Sequence, residues 1–237
     1  MNIVLVGYGN MGREVEKILL QRNHRVTARV DTQPGCGDTQ DLSRDLLEGC
    51  DGVIEFSLPG GVLGNIRRYA EAGIPAVIGT TGWEKDKDAA RDLILSSGTA
   101  LVWGYNFSIG AHLFFSLVGK AAALIDSIPD YDIFGYEIHH SRKKDSPSGT
   151  ALTMAGEILA NTHRKKVLAA DRMDRQIKPE ELHIGSVRGG SVPGIHTVML
   201  DSAADTIEIT NNARNRGGFA LGAVMAAEWL QGKKGFF

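Results

Sequence analysis

Cysteines, long apolar runs and net charge are all scarce in this chain of 237 residues. Its two cysteines, Cys36 and Cys50, lie in predicted loops without metal-ligand spacing, so a disulfide framework does not fit and a reducing setting is expected. No apolar run reaches the roughly 18 residues that a membrane helix needs, and no cleavable leader is recognisable. The net charge of −2 gives no electrostatic reason to expect nucleic acid or an anionic membrane as a partner. We therefore expect a cytoplasmic protein with neither a nucleic-acid nor a membrane partner.

Strands and helices alternate through the first 107 residues. Residues 2–6 form a short continuous apolar run, which is the pattern of a strand buried on both faces. Alternation of such runs with helical patterns predicts an α/β fold with a doubly wound parallel sheet of the Rossmann type. The further strands are predicted at residues 26–30, 52–56, 76–78 and 100–103, and the helices at 14–20, 62–73 and 84–97.

The turn after the first strand, Gly7-Tyr8-Gly9-Asn10-Met11-Gly12, has the spacing of a dinucleotide-binding loop. Gly-x-Gly-x-x-Gly alone is a weak signal, and a structural glycine turn with a surface aspartate is the alternative. Here the turn joins a strand to a helix, and Asp31 follows the second strand, where it can hold the adenosine ribose. Polar turns also follow the later strands at residues 55–59, 79–83 and 104–108, where ligands of parallel sheets bind. This half of the chain is therefore predicted to bind a dinucleotide.

Beyond residue 107 the helices are segregated from the strands, which implies an α+β domain with a mixed or antiparallel sheet. The last two predicted strands alternate apolar and polar residues, so one sheet face is expected to be buried and the other to meet a partner subunit. We divide the chain into a first domain, 1–107, completed by a C-terminal segment, 213–237, and a second domain, 108–212. Helices are predicted at 109–128, 150–161 and 219–230, strands at 131–136, 182–187, 196–200 and 206–210, and a charged loop at 163–180.

Residues 137–151 of the second domain form a polar turn between a strand and a helix. Pro147 suits the first position of that helix, with Ser146 or Asp145 as the cap. His139 and Lys143 bring a proton donor and a cation to the same turn. A basic turn capped by Ser-Pro is the alternative, but the combination favours a site for a small anion. Unpartnered amides at the helix start would cradle a carboxylate or phosphate, and they are predicted to be those of Ser148, Gly149 and Thr150.

Together these motifs resemble those of the 4-hydroxy-tetrahydrodipicolinate reductase family, formerly called dihydrodipicolinate reductases. The resemblance rests on the glycine turn, on residues 79–82 and 106–110, on the His-His…Lys…Asp-x-Pro-Ser-Gly-Thr string and on residues 188–196, so it covers nearly the whole chain. It implies hydride transfer from NADH or NADPH to a dicarboxylate ring in the diaminopimelate route to lysine. It also implies a homotetramer assembled through the 108–212 domain.

The same resemblance implies specific residue roles. His139 would be the general acid and Lys143 the second catalytic residue. The substrate carboxylates would be bound by His140, Lys143, Ser148, Gly149 and Thr150. The cofactor would be bound by Gly7, Gly9, Asn10, Met11, Gly12, Asp31, Phe56, Gly79, Thr81, Asn106 and Phe107.

Cofactor choice is predicted from the surroundings of Asp31. Its carboxylate would repel a 2′-phosphate, and neither arginine nor lysine occurs in the three residues that follow. Arg29 lies two positions earlier, on the same face of the strand, and is the one feature that favours NADPH. We therefore expect use of both cofactors with a modest preference for NADH.

Three alternative functions remain open at this point. Metal catalysis is disfavoured, because adjacent histidines such as His139 and His140 diverge on a strand and no His-x-x-x-His or Cys-x-x-Cys spacing occurs, so no metal is expected. Another small-molecule dehydrogenase would explain the first domain but not the string after residue 137. A non-enzymatic nucleotide sensor would have no need of His139 and Lys143.

Overall fold

The computed structural model describes residues 1–170 and 172–237, and these ranges contain eleven strands and seven α-helices. None of these helices is long and apolar enough to cross a bilayer. The strands are β1 (Asn2–Val6), β2 (Arg25–Val30), β3 (Gly52–Glu55), β4 (Ala76–Ile78), β5 (Ala100–Trp103), β6 (Asp132–His139), β7 (Val167–Ala169), β8 (Glu181–Arg188), β9 (Ile195–Asp201), β10 (Thr206–Asn212) and β11 (Gly235–Phe236). The helices are α1 (Asn10–Gln21), α2 (Arg44–Leu47), α3 (Val62–Ala72), α4 (Lys87–Ser97), α5 (Ile109–Ile125), α6 (Gly149–Asn161) and α7 (Gly217–Leu230).

A six-stranded parallel sheet with the strand order β11-β5-β4-β3-β1-β2 forms the centre of the first unit. Ile3 to Val6 of β1 are at most 4% exposed, because the sheet is covered on both faces. Side chains of α3 and α4 pack on one face, and side chains of α1 and α7 pack on the other. The predicted doubly wound Rossmann-type sheet is therefore confirmed.

The C-terminal segment belongs to this first unit, which comprises Met1–Ser108 and Arg216–Phe237. Glu228 of α7 forms ion pairs of 2.7 Å with both Arg22 and His24 at the end of α1. Strand β11 adds to the edge of the sheet beside β5 and was missed in the sequence, because two residues are too few to show a period.

The second unit, Ile109–Asn215, is a five-stranded sheet with α5 and α6 packed against one face. Its order is β10-β9-β6-β8-β7, with β6 parallel to β8 and antiparallel to β9, so the predicted mixed sheet is confirmed. Ile133, Ile184 and Val198 are buried beneath the two helices. The register sets Glu137 of β6 opposite His196 of β9.

Three local predictions in this unit were wrong. Pro147 is not the first helical residue: α6 begins at Gly149, and Ser148 is its N-cap because the Ser148 hydroxyl accepts a hydrogen bond from the Ala151 amide. The strand predicted to end at residue 136 continues to His139, since the polar side chains at its end find partners inside the unit. The loop predicted at residues 163–180 contains β7, which is too short to show a period.

Candidate active site

The glycine turn lies at the carboxyl end of β1, which lies between β3 and β2 in the sheet. A side chain at Gly7, whose φ is +86°, would overlap the carbonyl of Phe56, and one at Gly12 would overlap the carbonyl of Gly7. At Gly9, by contrast, an added Cβ would meet open space, and no side chain caps α1 there. An uncapped helix start beside open space fits a pyrophosphate group.

A cleft at this edge of the sheet contains the predicted ribose-binding carboxylate. Asp31 is held in place by two amides, that of Tyr8 at 2.7 Å from Oδ2 and that of Gln33 at 2.9 Å from Oδ1. Each oxygen keeps a lone pair for a ribose hydroxyl. Of the predicted cofactor residues, the cleft is lined by Gly7, Gly9, Asp31 and Phe56.

A second group of predicted cofactor residues surrounds the ring of Phe56. Gly79 packs directly against that ring, so any side chain at residue 79 would overlap it. The Phe107 ring meets the Phe56 ring edge-on, with centroids 6.4 Å apart. Seven of the predicted cofactor residues do not line the cleft, namely Asn10, Met11, Gly12, Gly79, Thr81, Asn106 and Phe107.

Arg29 is not available to swing towards a 2′-phosphate, which corrects the expectation from the sequence. Its Nε lies 3.1 Å from both carboxylate oxygens of Glu16, and its Nη2 forms a further short contact with the same carboxylate. Its Nη1 lies 3.1 Å from Asp38 Oδ2. The guanidinium is therefore neutralised by two acids.

Two features of the cleft and its surroundings were not predicted from the sequence. Arg68 of α3 lines the cleft, where no cation was expected. Beneath it Glu55 is fully buried and accepts hydrogen bonds from Tyr69 Oη at 2.8 Å and Asn65 Nδ2 at 2.9 Å. Burial raises the pKa of Glu55. The signal in the sequence was a glutamate within the apolar strand run that precedes Phe56.

In the second unit the centre of the candidate site is the carboxylate of Glu137, which is 0% exposed. Its Oε1 accepts hydrogen bonds from Arg188 Nη2 at 2.7 Å, Ser186 Oγ at 2.9 Å and the Ser148 amide at 2.9 Å. Its Oε2 accepts a short hydrogen bond from the Ser148 hydroxyl and lies 3.4 Å from His196 Nε2. Burial alone would raise the pKa of Glu137, but the hydrogen bonds from His196, Ser148 and Arg188 outweigh it and hold the pKa well below the usual range.

His139, the predicted proton donor, shares the inner face of β6 with Glu137 and is 7% exposed. Its Nδ1 lies 3.2 Å from Glu137 Oε2, at an angle that does not complete a hydrogen bond. Burial lowers the pKa of His139 to about 4, although the neighbouring Glu137 charge opposes the shift. Lys143 and Arg188 add to the decrease through charge repulsion.

The anion cradle at the start of α6 is smaller than predicted. Ser148 is only 2% exposed, and both its amide and its hydroxyl donate to Glu137, so the predicted free amide at residue 148 is wrong. The amides of Gly149 and Thr150 have no acceptor among the described residues. Gly149 is exposed, and an added Cβ there would meet open space, so an anion can approach these two amides.

Two further predicted residues lie in the segment between β6 and α6. Lys143 Nζ lies 2.8 Å from Asp145 Oδ1, and its ammonium has three N–H donors, so it can bind a substrate carboxylate as well. His140 is the first residue after β6 and donates its amide to the Val192 carbonyl at 2.8 Å. Its Nδ1 is buried without a hydrogen-bond partner.

Glu137, His139 and His196 also form a cluster of metal-ligand types that sequence spacing did not reveal, because β9 is remote in sequence. Its ligand atoms lie within 4.8 Å of one another. Three donors already bind Glu137 Oε1, one of them the cationic Arg188, and Ser148 occupies Oε2. A carboxylate so occupied has little capacity left for a cation.

Comparison with known proteins gives consistent matches over both units. The family described as dihydrodipicolinate reductase, N-terminus, matches residues 1–107, and its C-terminus counterpart matches residues 110–237. The 4-hydroxy-tetrahydrodipicolinate reductase of Christiangramia forsetii is 40% identical over 237 residues, covering 100% of this chain and 95% of that protein. The enzyme of that name from Natronomonas pharaonis is 34% identical, covering 97% of this chain and 94% of that protein.

Among solved structures, a dipicolinate-bound dihydrodipicolinate reductase from Paenisporosarcina sp. TG-14 has the same fold. Its TM-score is 0.79 at 21% identity, and the match covers 100% of this chain and 97% of that one.

The parallel sheet with its glycine turn, together with these relatives, defines an NAD(P)H-dependent oxidoreductase. Within that class, the chain belongs to the 4-hydroxy-tetrahydrodipicolinate reductase family.

Proposed function

We propose that the chain reduces the 4-hydroxy-tetrahydrodipicolinate or dihydrodipicolinate ring to tetrahydrodipicolinate, as its relatives' names indicate for them. The observation that carries this proposal is a buried histidine, a lysine and a two-amide anion cradle on one turn of the second unit. An oxidoreductase that acts on another substrate would need no such combination. The proposal keeps the expected cytoplasmic setting, in which the free thiols of Cys36 and Cys50 stay reduced.

Different residues would donate the proton and bind the two substrate carboxylates. When bound, the reduced nicotinamide supplies a hydride to a conjugated ring carbon, and the ring then carries the negative charge. His139 donates a proton to that charge, and Lys143 stabilises the developing anion and binds a carboxylate with the N–H groups that Asp145 does not occupy. The amides of Gly149 and Thr150 bind a carboxylate at the start of α6, with His140 beside them. Ser148 contributes to substrate binding by fixing that helix start to Glu137.

The first unit would hold the cofactor. We assign the pyrophosphate to the turn of Gly7, Gly9, Asn10, Met11 and Gly12, and the ribose to Asp31. The group of Phe56, Gly79, Thr81, Asn106 and Phe107 is assigned to the nicotinamide half.

Both NADH and NADPH are proposed as cofactors, with NADH modestly preferred. Asp31 lines the cleft and would repel a 2′-phosphate, and Arg29 is held by Glu16 and Asp38. Arg68 lines the same cleft and can partly offset that repulsion. The preference for NADH is therefore expected to be small.

We also propose a homotetramer assembled through the sheet of the second unit. Phe134, Tyr136 and Ile138 alternate along β6 with the residues buried under α5 and α6, so they lie on the opposite sheet face. They are only partly buried, and Val187 beside Ile138 is 52% exposed. An apolar sheet face of this kind is suited to a partner subunit.

The proposed activity is tested by generating the unstable substrate in situ from aspartate semialdehyde and pyruvate with the upstream synthase. Loss of reduced nicotinamide is then followed. We expect turnover by the wild type, and His139→Gln and Lys143→Ala should each lower it by at least about a hundredfold while nucleotide binding stays nearly unchanged. Lys144→Ala is the matched control, because Lys144 is an exposed lysine next to Lys143. Near-normal turnover by either variant would refute the role of that residue, and no turnover by the wild type would refute the function.

A further inference from the structure

The carboxylate of Glu137 joins three parts of the second unit that are distant in sequence. Ser148 reaches it from the start of α6, Arg188 from the end of β8, and His196 from the start of β9. All of these groups converge on a residue that is 0% exposed. A buried carboxylate with this many donors has a fixed position, because moving it would leave several polar groups unpaired.

The segment between β8 and β9, residues 188–196, also holds the turn that follows His139. The Gly189 amide donates to the His139 carbonyl at 2.9 Å, and the His140 amide donates to the Val192 carbonyl at 2.8 Å. Arg188 Nη2 donates both to Glu137 and, at 2.7 Å, to the carbonyl of Asp145. The peptide group that follows the proposed proton donor is therefore fixed by the same segment that fixes Glu137.

The two nitrogens of the His139 ring have different surroundings. Nδ1 is buried beside Glu137 Oε2 at 3.2 Å and has no hydrogen-bond partner. The His196 ring meets the His139 ring edge-on, with centroids 5.1 Å apart. At Nε2 the neighbouring residue is Gly194, where an added Cβ would come within 3.0 Å of that nitrogen. The absence of a side chain at residue 194 leaves room at Nε2.

We infer that Glu137 is a positioning residue for His139, which keeps the proton of the neutral ring on Nδ1 and so leaves Nε2 to carry the transferred proton. Arg188 and His196 hold Glu137 in the position that this requires. With substrate bound, the neutral ring takes up a proton from solvent at Nε2. On proton transfer this imidazolium breaks its Nε2–H bond, the proton forms a bond to the reduced ring, and the neutral imidazole keeps its Nδ1–H towards Glu137. Glu137 has this role only if His139 is the proton donor proposed above. At 3.2 Å the buried carboxylate already favours the tautomer whose Nδ1–H faces it, and a small reorientation in the substrate complex would complete the hydrogen bond.

The test is Glu137→Gln, which preserves shape but replaces one oxygen by an amide nitrogen. With Arg188 donating to the remaining oxygen, the new amide would face His139 Nδ1 as a donor, so the ring should change to the tautomer with its proton on Nε2. Nitrogen NMR of the free protein near neutral pH should show this change. We expect kcat to fall by at least about a hundredfold and KM to change by less than about threefold. Glu180→Gln, at an exposed glutamate before β8, should change neither quantity.

A changed tautomer together with a lowered kcat supports the inference. A kcat within about threefold of the wild type, or an unchanged tautomer, overturns it, since a merely structural residue would not control the ring proton. If Glu137→Gln does not fold, the tautomer and kcat are measured in Glu137→Asp instead. Its shorter side chain moves the carboxylate away from His139 Nδ1, so the same changes are expected. No turnover by the wild type would refute the proposed function and, with it, the catalytic use of the His139 ring. The tautomer is measured without substrate, so it decides separately whether Glu137 orients that ring.

Discussion

Mild acid should destabilise this protein through His139. The pKa of His139 falls from 6.5 in the unfolded chain to about 4 in the folded protein, because the ring is buried. Between these values the unfolded chain binds a proton at residue 139 that the folded protein does not bind, so the free energy of unfolding falls as the pH is lowered. When the pH is lowered from about 7.5 to about 5, the free energy of unfolding falls mainly over the 1.5 pH units between 6.5 and 5. At 1.36 kcal/mol per unit, the loss is about 2 kcal/mol.

The assay is urea denaturation of the wild type and of His139→Gln at both pH values, at one protein concentration because assembly shifts apparent stability. The glutamine variant lacks the titrating ring, so the difference in unfolding free energy between the two proteins should change by about 2 kcal/mol between the two pH values. Glu137 does not affect the comparison. Its pKa is lowered from 4.5 by folding, so its contribution to the free energy of unfolding is lost only as the pH falls below about 4.5. His163→Gln, at an exposed ring, is the control. A difference that is constant within about 0.5 kcal/mol would refute the lowered pKa of His139.

Three further predictions concern the cofactor and the assembly. Asp31→Ala should shift the ratio of kcat/KM values towards NADPH, and a wild-type preference for NADPH of about tenfold or more would refute the role of Asp31. Gly12→Ala should weaken nucleotide binding by about tenfold or more in a fluorescence titration, because its Cβ would overlap the Gly7 carbonyl and separate α1 from the turn, and unchanged binding would contradict this. Light scattering at micromolar concentration should show a tetramer that Val187→Lys weakens, because Val187 is exposed on the apolar sheet face, and a wild-type monomer would refute the assembly.

Short-range patterns were sufficient for the predictions that depend on neighbouring residues. The apolar run of β1 and the glycine turn after it specify a buried strand and a tight turn, because burial and allowed φ are properties of consecutive residues. The helix start near residue 149 was also predictable, although the choice between Pro147 and Ser148 was not. That choice depended on Glu137, which accepts both donors of Ser148 and so holds it at the cap.

Long-range pairing decided the rest. The strand was predicted to end at residue 136, and only its continuation to His139 places Glu137 and His139 on one face, because side chains alternate with a period of two. The sequence did not determine that His196 would lie opposite Glu137, since the register of β6 against β9 depends on how both strands pack under α5 and α6. Arg29 shows the same limit: it was judged free from its neighbours along β2, but α1 brings Glu16 against it and fixes it. The sequence alone therefore determined which residues could do the chemistry. Only the tertiary structure decided which of them are already paired with one another, because those contacts join residues that are distant along the chain.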